Sequence, residues 1–121
     1  TPPVRNSYGG RDLHTRSHGE SLLDLIIYRF SEKGLYILDE PESALSVQNQ
    51  LVLLARIHEL VLKGCQFIIA THSPLIIAYP DAEVLNFSQD GIQSVTYDQT
   101  ENFVLMKRFC TSPDSVIKSL L

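Results

Sequence analysis

Several absences narrow the class of this chain before any motif is found. There are only two cysteines, Cys65 and Cys110, far apart and in no C-x-x-C pair, so no dithiol or zinc signature of that spacing is present. They read as two reduced thiols of a cytoplasmic protein rather than as a structural disulfide. No apolar run reaches the roughly 20 residues that span a bilayer, so no membrane segment is expected. Positive charge is not in excess: the formal net charge is −4. A broad nucleic-acid-binding face is usually basic, and charge gives it no support here, although a local basic patch stays compatible with the average. The start, Thr1-Pro2-Pro3-Val4, has neither an initiator Met nor a signal-peptide pattern, and reads as the beginning of a fragment cut from a longer chain. Internal repeats and low-complexity tracts are also missing.

What is present suits a packed domain. At 121 residues with 44% apolar content, the chain is one domain's worth of sequence or a piece of a larger one, with a core rather than disorder. Residues 1–16 hold Pro2, Pro3, Gly9 and Gly10 and are expected to be loop or flexible. Ser17-x-x-Glu20 fits a capping box ahead of Leu22, Leu23, Leu25, Ile26, Ile27 and Phe30, predicting a helix that stops at Gly34. Leu35-Tyr36-Ile37-Leu38 is short, continuously apolar and bounded by breakers, as in a strand buried on both faces. After a turn at Pro41, the spacing of Leu51, Leu54, Ile57 or His58, and Val61 predicts a helix over 47–63, with Gly64 at its C-terminal cap. Phe67-Ile68-Ile69-Ala70 repeats the buried-strand pattern. Strand, helix and strand with short links predict a right-handed parallel crossover, hence an α/β fold. A hairpin around Gln89-Asp90-Gly91 and a last helix from Pro113 to Leu121 complete the expected elements.

Ligands of open α/β sheets bind beyond the carboxyl ends of the strands. There the first strand ends in Asp39-Glu40 and the second in Thr71-His72-Ser73. Two adjacent carboxylates are costly to bury without a positive partner, and a hydrated magnesium ion on a nucleotide supplies that charge. Side chains alternate along a strand, so Asp39 is expected to hold the ion and Glu40 to orient and deprotonate the attacking water. His72 is placed to contact the γ-phosphate and that water. Taken singly, each feature also fits a plainer role: an acidic pair as a solvated turn or helix cap, a histidine as a turn residue.

Leu35-Tyr36-Ile37-Leu38-Asp39-Glu40-Pro41 resembles the Walker B motif of ABC-type ATPases. Glu42-Ser43-Ala44-Leu45-Ser46 resembles the D-loop that follows it, and Thr71-His72-Ser73-Pro74 the switch-histidine loop. Ser17-His18-Gly19-Glu20 is similar to the family's signature motif. The four occur in the family's order over roughly residues 16–87. Within that class, Thr-His-Ser-Pro is more typical of the soluble SMC and RecF group. Ser-His-Gly-Glu-Ser and Ala78-Tyr79-Pro80-Asp81-Ala82 look most like small proteins labelled "AAA family ATPase", some of which belong to toxin–antitoxin or phage-defence systems.

The resemblance implies the C-terminal portion of a parallel-sheet P-loop NTPase domain over residues 17–121, with ATP and Mg2+ as cofactors. It implies a head-to-tail homodimer in which Ser17, His18, Gly19 and Glu20 close over the partner's ATP, their helix N-terminus favouring the γ-phosphate. Ser43 and Ala44 would then meet the partner's D-loop. His18 departs from the family's first glycine, which puts close backbone approach in doubt. Ser46 stands where an Asp is common, and also fits as the cap of the helix beginning at Val47. Ser17 and Glu20 equally fit the capping box alone.

The P-loop pattern G-x-x-x-x-G-K-[ST] is missing, because Gly9-Gly10-Arg11 has neither its spacing nor its Lys. A preceding N-terminal segment is expected to supply that phosphate cradle. Two readings of another class remain: a metal-dependent phosphohydrolase or nuclease built on Asp39, Glu40 and His72, which needs further carboxylates to hold two ions, and a non-catalytic dimerisation module. Residues 1–121 alone are expected to show no Mg-dependent ATP hydrolysis above background, as phosphate release from the purified chain would measure.

Overall fold

The first ordered feature after Gly34 is β1 (Leu35–Asp39), which pairs in parallel with β2 (Gln66–Ala70). The register runs from Leu35 opposite Gln66 to Asp39 opposite Ala70. The computed structural model describes Asp24 and residues 33–121. They fall in two compact units, Thr1–Thr71 and His72–Leu121.

In the first unit the crossover between the strands is helix α1 (Val47–Leu62). Ser46 caps it, its Oγ accepting from the Asn49 backbone N–H at 3.1 Å, so an N-terminal donor otherwise left open is satisfied. Gln50, Leu53, Ile57 and Leu60 are buried along one face, the stripe an amphipathic helix turns to its core. Leu53 and Leu60 are fully buried, and α1 packs against β2. Gln50 is covered without loss because its Nε2 donates to the Leu45 carbonyl at 3.4 Å.

The exit from α1 is a Schellman turn. Cys65 N–H donates to the Leu60 carbonyl and Gly64 N–H to Val61, both at 3.0 Å. Gly64 has φ 95°, the left-handed conformation that this cap requires and that a side chain resists. Buried Cys65 and Leu60 close the motif from inside.

In the second unit Ser73 caps the short helix α2 (Pro74–Ile77), its Oγ accepting from the N–H groups of Leu75 and Ile76 at 3.2 and 3.4 Å. Strands β3 (Val84–Ser88) and β4 (Gly91–Val95) form an antiparallel hairpin closed by Gln89 and Asp90. A 3-10 turn (Tyr97–Gln99) leads into α3 (Glu101–Thr111) and then α4 (Pro113–Leu120), which pack on each other. Tyr97 meets Phe103 edge to face, centroids 5.0 Å apart.

Two expectations change. The strands are covered on one face, not two. Tyr36, Leu38, Phe67 and Ile69 share the buried or half-buried side, whereas Leu35, Ile37 and Ile68 on the other are 54%, 71% and 52% exposed. Burying a parallel sheet twice takes a layer on each face, and the described residues cover only one. The stretch between the hairpin and Pro113 also contains α3, which the sequence pattern does not announce, and α2 likewise follows Ser73-Pro74 unannounced. The helix expected after Ser17 lies outside the described residues except for Asp24, which is helical and buried.

Leu53→Ala is expected to lower unfolding stability by about 2–5 kcal/mol, the range for emptying a buried leucine site. Leu62→Ala, at a 74% exposed position, should stay within about 0.5 kcal/mol of wild type. Urea denaturation followed by circular dichroism measures both.

Candidate functional site

The carboxyl end of the parallel pair is where the backbone departs most from regular geometry. The β1 strand stops at Asp39, and Glu40 takes φ 47° and ψ 54°, a left-handed conformation that costs a residue bearing a Cβ roughly 1–2 kcal/mol. Two things impose it. Glu40 N–H donates to the Ala70 carbonyl at 2.7 Å, continuing the strand ladder, while Pro41 follows and disfavours the ordinary helical region for the residue before it. Pro41 then opens a 3-10 turn (Pro41–Ala44), its fixed φ already suited to a helical first position. Ser43 N–H donates to the Glu40 carbonyl and Leu45 N–H to the Glu42 carbonyl, each at 3.1 Å. Buried Pro41 and Leu45 anchor the turn at both ends.

Asp39, Glu40 and Ser43 are exposed and Ala44 is half-buried, so the structure gathers these four sequence-predicted residues on one turn at one end of the sheet. The alternation of a pleated strand does not set the direction of Glu40, as expected from sequence. The strand has ended, and the left-handed turn sets it. A further side-chain contact crosses the same end: Thr71 Oγ1 donates to Glu42 Oε1 at 2.6 Å. Neither residue stood out individually in the sequence. The signal available was a carboxylate two residues after the acidic pair and a hydroxyl one residue after the partner strand.

His72 belongs to the second unit and is exposed. Its carbonyl accepts from Asn102 Nδ2, on α3, at 2.8 Å, and the next residue, Ser73, caps α2. The local backbone of His72 is thereby fixed from both sides of the chain. Ser17, His18, Gly19 and Glu20 lie outside the described residues.

Among the described residues no group of three or more His, Cys, Asp or Glu side chains converges as a metal cage. A magnesium ion carried by nucleotide phosphates does not need one, since one or two carboxylates plus phosphate and water oxygens complete its shell. The exposed Asp39 at the strand end fits that single-carboxylate demand. No helix among the described residues is long and apolar enough to cross a membrane.

Known proteins bear on this site. Residues 20–78 match a family model described as "AAA domain, putative AbiEii toxin, Type IV TA system", a span that includes Asp39, Glu40, Ser43, Ala44 and His72. The chain is also similar to a Haemophilus influenzae protein named "Uncharacterized ABC transporter ATP-binding protein", at 38% identity over 85 residues. The aligned part covers 69% of this chain and 32% of that protein, so the chain spans about a third of its relative's length. No solved structure matches. Both similarities support a P-loop ATPase family, and the α/β content with a small parallel sheet agrees with it.

The strain at Glu40 has a measurable signature. Glu40→Gly and Glu40→Asn, which tolerate φ > 0, should leave the unfolding midpoint at or above that of wild type. A β-branched residue is a genuine outlier there, and Glu40→Val should cost about 1–2 kcal/mol. Thermal melts of the three variants against wild type test the order.

Proposed function

We propose that this chain is the C-terminal part of an ABC-like ATPase domain, of the soluble SMC- and RecF-like kind, that binds and hydrolyses ATP within a head-to-tail dimer. The observation that carries the proposal is Glu40 itself: a carboxylate held at a conformational cost directly after Asp39, at the sheet end where α/β ligands bind. Strained residues of this kind cluster at active sites, and glutamate is not a residue that a left-handed position favours. The ATP-binding name of the H. influenzae relative supports the choice of nucleotide.

In this proposal Asp39 holds Mg2+, which neutralises phosphate charge when bound with ATP. Glu40 orients the attacking water and accepts its proton. His72 takes the role of the switch histidine that its loop resembles, contacting the γ-phosphate. Ser17, His18, Gly19 and Glu20 bind the γ-phosphate of ATP held by the second domain, and Ser43 and Ala44 meet the partner's equivalent turn. A P-loop segment N-terminal to the signature supplies the lysine and the hydroxyl that this stretch does not contain.

Glu40→Gln keeps the shape and removes the base. In the intact protein it should lower the rate of ATP hydrolysis by about 10²–10⁴-fold, the usual contribution of a positioned general base. The same variant should accumulate as a dimer when Mg-ATP is added, read as a doubling of mass by light scattering. An unchanged hydrolysis rate, or a monomer mass with and without ATP, would sink the proposal.

A further inference from the structure

The turn that carries Glu40 is fastened to the end of β2 by a backbone hydrogen bond and by a side-chain one. Glu40 N–H to the Ala70 carbonyl, at 2.7 Å, fixes where the chain leaves the sheet. That bond does not by itself define ψ of Glu40 or the path of 41–44, which the Ser43 and Leu45 N–H bonds and the buried Pro41 and Leu45 shape from within the turn. The second fastening, Thr71 Oγ1 to Glu42 Oε1 at 2.6 Å, joins residues 29 apart in sequence and is partly shielded from water. It falls one residue beyond the first on β2 and two residues beyond it on the turn. Together they bracket Glu40 and Pro41.

Backbone strain persists only where its surroundings over-determine it. A glutamate released from one side would relax toward φ < 0 and swing its carboxylate away. The hydroxyl-to-carboxylate bond is charge-assisted and short, the stronger class of hydrogen bond. We propose that Thr71 and Glu42 are a positioning pair. Their part is to hold the turn 40–44 so that the Glu40 carboxylate and the exposed Ser43 keep fixed directions. The proposal rests on the ATPase role of Glu40 given above and adds two residues to it.

Intact protein carrying Thr71→Val, Thr71→Ser, Glu42→Ala or the pair Thr71→Val with Glu42→Ala distinguishes positioning from plain stability. Valine keeps the shape of threonine and removes its donor. It should lower kcat on the order of tenfold, with KM for ATP changed by less than about twofold, as for an interaction felt in the transition state. Thr71→Ser restores the donor and should restore most of kcat. The double variant should be no slower than the slower single one, since the two side chains act as a unit. Equal loss in the serine and valine variants, additive losses, or a rise in KM at unchanged kcat would overturn the pair.

A second readout stands apart from turnover. The Ser43 and Leu45 amides close the turn, and in Thr71→Val their hydrogen exchange should quicken by about tenfold or more. Unchanged exchange overturns the positioning pair even if the enzyme is active. If wild type and Glu40→Gln turn over ATP equally, the ATPase role fails instead, and the exchange rates alone decide the pair.

Discussion

The hydrogen bond from Glu40 N–H to the Ala70 carbonyl carries the parallel ladder one step past the last strand residue of β1, and much of the first unit is arranged around it. It obliges the chain to stay beside β2 at a point where Pro41 disfavours the ordinary helical region for Glu40. The outcome is a residue in the left-handed region, followed by a 3-10 turn whose ends are sunk in the core as Pro41 and Leu45. From Leu45 the path to Ser46 is extended, which suits Ser46 to start α1, and α1 returns the chain to β2. Each step depends on the one before it. If the ladder ended at Asp39, neither the direction of Glu40 nor the entry into α1 would be defined.

Much of this was legible in the sequence, for identifiable reasons. Both strands are short apolar runs between breakers, Ser46 is a good cap, and Gly64 marks a helix end. All three signals are local, and local signals survive folding. The acidic pair at a strand end was legible as a candidate site for the same reason.

The conformation of Glu40 was not legible, because glutamate has no preference for positive φ; it arises from the ladder and the proline, which meet only in the folded chain. The Thr71–Glu42 contact links residues that a sequence pattern cannot associate until the register of β1 against β2 is known. Helix α3 went unannounced because Phe103, Val104, Leu105 and Met106 run together and give no clean stripe of period 3.6. The exposure of Leu35, Ile37 and Ile68 was also beyond reach, since an apolar strand does not say how many of its faces have a layer to meet. Placement of His72 is a mixed case: the loop was visible from its residues, but Asn102, which fixes its carbonyl, sits thirty residues later on the helix that the pattern missed.

The two thiols differ in a way that has a practical consequence. Cys65 is closed inside the Schellman turn at 5% exposure, while Cys110 is exposed on α3. A thiol-directed fluorophore or spin label applied to the folded protein would therefore mark one position without any cysteine being engineered out. That position lies eight residues, just over two helical turns, along the same helix from Asn102. A label there would report on the motion of the helix that grips the His72 carbonyl, giving a spectroscopic view of the loop from a distance that leaves the loop itself unmodified.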